Sequence, residues 1–553
     1  MRIRAVIVAA AAAAGLLAGG PAGADKRDFE ACDGLRAPGT KNGGMSGPKS
    51  DSGFAFPLLG SSPDMSAATV AACGRALADP RLTPTATLRR VHLLRARALA
   101  RLQGGDADGA LGDLDAAAQA AGPLAADPLY ARSMGVSLTL ARAGAWQAKG
   151  DRAKARALAA EAAAARPYSS SIQSMAALIV QRARDPQAPA ASFTALMPLM
   201  PDALSLQFGA DVEAGRFAEA AALHPRLKHE FSKAGAGSLI ALTDDVRTLA
   251  EAVIGSAQAS YAYAATGQGG KARAVLADAK AGLDAALVPG VDKKGAALPV
   301  SPLAEPLRAV LERYALITDA RLAILNGAPM NALKALVGAP LPVSAASVEL
   351  LTALRVALPE AQRALAPDPA VMAAKLAKQR AKERLDLAAL RKAMPAPETS
   401  RTLADYEGAG SAFLASFFGG AGASNDGFRS RTDEKTGVTT VEFVGQSTSA
   451  PAVEEMTLLR AADLARAAGR KGILIVDRRD FARTMTVTRG YSAIPISSTP
   501  AGYKTELKVR FVDPASPPAD LSGERDRLLD ADRVYAALAP IYIPAAGAAT
   551  ASR

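Results

Sequence analysis

The chain has two cysteines, three histidines and one tryptophan among 553 residues, and aromatics make up only 5% of it. His92, His224 and His229 all precede the C-terminal stretch, so no serine–histidine or cysteine–histidine mechanism can be assembled within that stretch. His224 and His229 are separated by Pro225 and do not share a helix face, and two ligands alone make a poor metal site. Beyond the N-terminus no apolar run reaches the ~20 residues that a membrane helix needs. The glycine run Gly419-Gly420-Ala421-Gly422 lacks the Gly-Lys-Ser/Thr ending of a phosphate loop and reads as a flexible connection. Formal net charge is +12, but the lysines and arginines are spread along the chain without interleaved aromatics. Nucleic acid is therefore not expected as a partner. No cofactor motif is present.

The first 24 residues look like a targeting segment. Arg2 and Arg4 precede the apolar stretch Ala5 to Ala18, and Ala22-Gly23-Ala24 offers the small residues of a cleavage site before Asp25. A retained anchor is the alternative. No cysteine follows Leu17-Ala18-Gly19-Gly20, so this is not a lipoprotein signal. An exported protein, periplasmic or secreted and without stable membrane insertion after cleavage, is expected. Such a compartment permits a bond between Cys32 and Cys73, with two free thiols as the alternative. Residues 25–65 are rich in turn formers and read as an irregular arm.

Half of the residues are hydrophobic, with much of that half alanine, which favours closely packed helices. From Leu82 to Gly338 one pattern recurs: a glycine, then an alanine five positions on. The pairs are Gly105/Ala110, Gly150/Ala155, Gly215/Ala220, Gly267/Ala272 and Gly327/Ala332. Each is read as the turn between two antiparallel helices, followed by the small residue that lets the second helix lie close to the first. Residues 66–394 are thus expected to form a helical-repeat domain, with a non-repeating α-helical domain as the alternative. It ends in one long charged helix from Asp368 to Met394, which Pro395-Ala396-Pro397 terminates.

A linker over 395–427 leads to a small α+β domain at 428–540, with a disordered tail at 541–553. Thr439, Val441 and Phe443 alternate as in a half-buried strand. A helix from Pro451 to Ala468 carries the small face Leu458, Ala461, Ala462 and Ala465, with Glu454 and Glu455 at its positive N-terminal end. Gly472 to Asp477 is apolar enough for a central strand, and Arg483 to Thr488 is a further one. Tyr503 to Phe511 alternates apolar residues with Lys504, Glu506, Lys508 and Arg510. Asp477, Arg478 and Arg479 at a strand end, with Lys504, Lys508 and Arg510 on a wet face, are the candidate partner-binding residues. A loop of mutual salt bridges is the alternative for the first group.

Two resemblances accompany these readings. The unit from Val136 to Pro167, with Ala143, Trp146, Gly150-Asp151, Ala155, Ala159 and Ala162, resembles a tetratricopeptide repeat. Ala98, Ala110, Leu114 and Ala117 fit the same pattern, as do Ser260, Tyr263, Ala272, Leu276 and Ala279. Phe208 departs from it, and successive turn glycines are 45, 65, 52 and 60 residues apart rather than the repeat's usual ~34. The resemblance implies a solenoid of helical hairpins with a free concave face and places Trp146 at a packing position. Separately, Val441 to Ser447, Leu458 to Leu464 and Gly472 to Val476 resemble a small domain of unassigned function in alphaproteobacterial envelope lipoproteins. That resemblance implies an envelope location and a ββαβββ-like fold, and no chemistry.

The expected protein is a non-enzymatic scaffold whose concave face binds a protein or peptide of the cell envelope. The alternative is an envelope enzyme, or enzyme subunit, acting on a cell-wall or surface polymer.

Overall fold

The computed structural model describes residues 26–35, 37–39, 42–45, 63–183, 189–227, 231, 239–288, 304–383, 385–398, 427–445, 448–488, 495–516 and 518–543. The targeting segment and the glycine run expected from the sequence lie outside these residues, as does the expected tail from 544 on; its first residues are not a disordered tail, since Tyr542 ends a helix and is fully buried. The chain is mostly helical, with a five-stranded antiparallel sheet near its C-terminus. It divides into two compact units that are not consecutive stretches. One comprises 1–183, 198–200 and 385–553; the other comprises 184–197 and 201–384.

The first unit begins with α1 (Lys26–Asp33) and α2 (Pro63–Ala78). The expected irregular arm therefore contains a helix. Phe29 and Cys32 are buried in it, Cys32 is bonded to Cys73 of α2, and Asp28 accepts from Arg75 at 2.6 Å. These ties supply what local propensity does not. Then come α3 (Thr87–Gln103) and α4 (Ala107–Ala121), a helical turn at Pro128–Tyr130 that passes through the π stretch Ala131–Gly135, and α5 (Val136–Lys149), α6 (Arg152–Ala165) and α7 (Ser170–Ala183).

The second unit holds α8 (Pro189–Leu196), α9 (Ala203–Ala214), α10 (Phe217–Leu223), α11 (Leu239–Ala265), α12 (Gly269–Ala286), α13 (Ala304–Leu325), α14 (Pro329–Leu336), α15 (Ala345–Ala357) and α16 (Pro369–Lys382). Its core is continuous from Phe208 to Ala366.

The five glycine turns are the clearest link from sequence to structure. Gly105, Gly150, Gly215, Gly267 and Gly327 all have φ between 75° and 86°, the left-handed region that glycine enters without strain. In two of these turns the next residue is an aspartate that caps the following helix: Asp106 accepts from the Gly109 N–H at 2.8 Å and Asp151 from the Lys154 N–H at 3.1 Å. The partner alanines, Ala110, Ala155, Ala220, Ala272 and Ala332, are fully buried. A larger side chain there would force the two helices of the hairpin apart.

Back in the first unit are α17 (Leu387–Ala393), the strands β1 (Gly427–Asp433) and β2 (Val438–Gly445), α18 (Ala450–Ala467), β3 (Gly472–Thr488), β4 (Pro495–Val512), β5 (Leu528–Asp530) and α19 (Ala531–Tyr542). The expected single helix over 368–394 is thus two, α16 and α17, assigned to different units. Arg483 to Thr488 is not a separate strand but the last third of β3.

The sheet order is β1-β2-β4-β3-β5. Val441, Phe443, Ile473, Ile475, Leu507 and Val509 form one apolar face against α18, whose Leu458, Ala461, Ala462 and Ala465 are all buried. The other sides of α18 are covered too, by α7, α17 and α19. Trp146, expected in the core, is half-buried instead, with the Lys154 ammonium 4.0 Å above its ring.

Candidate functional site

The two glutamates near the start of α18 organise the first unit. Adjacent helix positions point about 100° apart, so Glu454 and Glu455 reach different neighbours. Glu455 is fully buried and receives Arg166 through both oxygens, at 3.1 Å from Nε and 2.7 Å from Nη2. The Arg132 guanidinium and the Tyr542 hydroxyl also donate to its Oε2, each at 2.5 Å.

Arg166 lies just beyond α6 and is itself fully buried. Its Nη1 donates to Glu398 Oε1 at 2.6 Å and to the Arg132 carbonyl at 3.2 Å, and its Nη2 also reaches the Tyr542 hydroxyl at 3.0 Å. All five guanidinium N–H donors are therefore used. Burial alone would lift the Glu455 carboxyl, but the Arg166 and Arg132 charges overcome it and hold Glu455 below the usual carboxylate range. Burial, reinforced by the Glu455 charge, pushes the Tyr542 phenol well up.

Glu454 faces the other way. Its Oε2 accepts from the Ser169 hydroxyl at 2.7 Å and from the Ser171 amide and hydroxyl at 3.1 Å each. Arg478 lies 3.7 Å from its Oε1. Burial raises the Glu454 carboxyl against the pull of Arg478.

Arg478 reaches this position because β3 carries a register shift between Ile475 and Asp477. Regular alternation from Ile473 and Ile475 would turn Asp477 and Arg479 toward α18. The bulge exchanges the faces. Arg478 and Asp480 point inward, joined at 2.7 Å, with Thr505 donating to Asp480 at 2.7 Å. The side chain of Arg478 is only 4% exposed.

The six candidate residues consequently do not converge. Arg478 lies beneath the helix. On the opposite face Lys508 pairs with Asp477 at 2.8 Å, Arg479 with Asp477 at 3.6 Å, and Lys504 with Glu442 at 2.6 Å and Glu506 at 3.3 Å. Arg510, half-buried, lies opposite Val438. That face is a ladder of alternating, matched charges rather than a basic patch. The sheet is also antiparallel, so the crevice found beyond strand ends in parallel sheets is not formed here.

Among the described residues, the helices of the first unit frame a larger and a smaller cavity. The larger, about 710 Å3, is lined by Thr85, Thr87 and Leu88 at the start of α3, by Leu124, Leu129 and Tyr130, and by Glu398. Tyr130 and Glu398 are 5% and 6% exposed, yet the Tyr130 hydroxyl and Glu398 Oε2 have no hydrogen-bond partner among the described residues. The smaller, about 310 Å3, is a groove between α4, α5 and α6, walled by alanines, with Thr139, Arg142 and Glu161 also lining it.

A third polar cluster lies under α1. Asp33 and Arg89 are both buried and 2.9 Å apart, with His92 Nε2 3.7 Å from the same carboxylate. Burial raises Asp33 to about 6 despite Arg89. His92 is driven well down by burial and then by Arg95 and Arg89. Of the other histidines, His224 Nδ1 lies 3.2 Å from the Tyr263 hydroxyl, and His229 lies outside the described residues. Among the described residues no three His, Cys, Asp or Glu side chains are placed to hold a metal ion, and no helix is long and apolar enough to cross a membrane.

Sequence reasoning found Glu454 and Glu455 but gave them only a helix-dipole role. It missed Arg166, Glu398, Tyr130 and Tyr542. One signal was available: two successive glutamates in the first turns of a helix whose first half is otherwise mostly Ala, Val, Met and Leu, where one of them must face inward. Compared with protein families, curated proteins and solved structures, the chain gives no match.

Proposed function

We propose that the protein is an exported, non-enzymatic interaction protein of the cell envelope, whose helical hairpins stack as a tetratricopeptide-like solenoid and bind a peptide or protein partner. The observation that carries this reading is the groove between α4, α5 and α6. Ala118, Ala121, Ala125, Ala162 and Ala165 line it, with Thr139, Arg142 and Glu161. Small walls let an extended backbone approach closely, and the polar side chains can pair with its amides.

The buried ion network favours binding over catalysis. Arg166 spends every donor inside the fold, and both Glu455 oxygens are occupied. Groups so engaged join elements rather than shuttle protons. The small α/β part then serves as a second docking module, with the charge ladder of Lys504, Lys508 and Arg479 on its outer face.

The test is retention of envelope proteins by the immobilised chain starting at Asp25, compared with Thr139→Trp, which fills the groove. A partner whose retention falls at least tenfold in the variant supports the reading. Equal retention by both proteins refutes it.

A further inference from the structure

The last helix of the second unit carries a surface that the unit itself does not use. No residue of α16 is buried. Its inward side is a row of partly buried residues one turn apart, Met372, Leu376 and Arg380. Met372 joins the core of the unit, and Arg380 donates to the Glu213 carbonyl. Successive helix positions turn by about 100°, which places Lys375, Lys378 and Lys382 within about 60° of one another. Beside them Ala370, Ala373, Ala374, Ala377 and Ala381 fall within about 100°. All eight side chains are exposed. No acidic residue lies between Pro369 and Lys382, and none of the three lysines pairs with a carboxylate among the described residues. Val371, in the same sector as the lysines, is 54% exposed. A helix that meets only water gains from opposite charges one turn apart and from polar residues around it. The outward side of α16 has one sign of charge and an apolar sector next to it.

We propose that α16 is the docking site for an acidic amphipathic helix of a partner protein. The site belongs to the other unit from the groove between α4, α5 and α6, and the inference does not rest on that groove. Charge complementarity sets the sign of the partner, because three exposed ammonium groups have no carboxylate of their own. The alanines argue for a helix. Small side chains let two helix axes approach to the lower end of the usual ~8–10 Å. The spacing of Lys375, Lys378 and Lys382 then matches carboxylates at i, i+3 and i+7 of a helix laid alongside. A lipid surface fits less well, since helices that lie in a membrane interface bury Trp, Phe or Leu, and the apolar sector here is alanine. A second copy of the chain fits less well too, because packing on the same face would bring one lysine row against another.

The full chain is titrated by fluorescence anisotropy with a synthetic amphipathic helical peptide that has glutamates at i, i+3 and i+7 beside an alanine face. The same peptide with lysines in place of the glutamates, and vesicles of phosphatidylglycerol or of phosphatidylcholine, are run in parallel. Two variants accompany the parent. The triple change Lys375→Glu, Lys378→Glu and Lys382→Glu reverses the row. The double change Ala374→Gln and Ala381→Gln puts bulk on the alanines that border it. Both alter exposed positions only, so melting temperatures should stay close to the parent's. The expected result is binding of the acidic peptide, weakened tenfold or more in each variant and by raising the salt from 0.05 to about 0.5 M. The triple variant should instead bind the lysine peptide. The proposal is overturned if the parent binds the acidic peptide no more tightly than the lysine one, or if the affinity survives either variant. Phosphatidylglycerol vesicles bound more tightly than the peptide would make a lipid surface the occupant, and self-association abolished by the triple variant would make it a second copy; either result also overturns the proposal.

Discussion

Replacing Arg166 by lysine keeps the charge and discards the fork, and so separates the two things this residue contributes. The guanidinium places five N–H donors on Glu455, Glu398, Tyr542 and the Arg132 carbonyl, with no exposed atom to compensate a loss. A lysine ammonium has three donors on a compact head. At least two buried acceptors then lose their donor, at about 1–3 kcal/mol each. We predict that Arg166→Lys destabilises the first unit by about 2–6 kcal/mol. Arg166→Met, which leaves Glu455 with Arg132 and removes the Arg166 partner of the buried Glu398, should cost about 3–5 kcal/mol or more.

The two variants should also differ in their response to acid. In the parent, Glu455 has a lowered carboxyl, so its contribution is complete above the unfolded value and is lost as pH falls through the folded one. In Arg166→Met the carboxylate that has lost its partner, Glu398, is relieved by protonation, so acidification should restore stability. Urea unfolding at several pH values, with trypsin cleavage between 398 and 427 as a local probe, reads both effects. If Arg166→Lys stays within about 0.5 kcal/mol of the parent, saturated fork geometry is not what holds the elements together.

Three further outcomes are expected. Asp33, raised to about 6 by burial, contributes stability that is full below the ordinary carboxylate value and is lost as pH rises through about 6. Asp33→Asn should remove this dependence, and an unchanged pH profile of unfolding would show that Arg89 neutralises the site. Removing the Cys32–Cys73 bond, which spans 41 residues, with paired serine substitutions should lower stability by about 4 kcal/mol in the chain-entropy model, and should expose α1 to protease first. On β4, Val509→Ala should cost about 1–3 kcal/mol from a fully buried position. Lys508→Ala, half-exposed beside Asp477, should cost no more than about 1 kcal/mol by the same denaturation assay.

Local backbone demands were legible in the sequence because single residues meet them. A glycine at φ near 80° and a buried alanine five positions on need no knowledge of the rest of the fold, and all five pairs have that geometry. The alternation of Thr505, Leu507 and Val509 was readable for the same reason. Arg478 was not. One extra residue in β3 inverts which side chains face α18, and nothing near Val476 in the sequence marks the bulge. Arg166 was hidden for a different reason. It stands after an alanine-rich helix, where an arginine ordinarily meets water, and its partners lie 232, 289 and 376 residues away. The helix 26–33 depends on a bond to Cys73 and a salt bridge to Arg75, neither of which propensity can express.

The discontinuity of the first unit also sets an order of events during synthesis. Arg166 emerges with its hairpin, but its last partner, Tyr542, is added 376 residues later. At about 5–20 residues per second that is roughly 20–75 s. Through this interval α6 and α7 carry an arginine whose final acceptors do not yet exist, while residues 201–384 can complete their own core. The second unit is therefore expected to be folded before the first closes. A chain stopped before Tyr542 would carry a finished second unit and an incomplete first one, leaving the half-made site around Glu455 hydrated and accessible to chaperones and proteases.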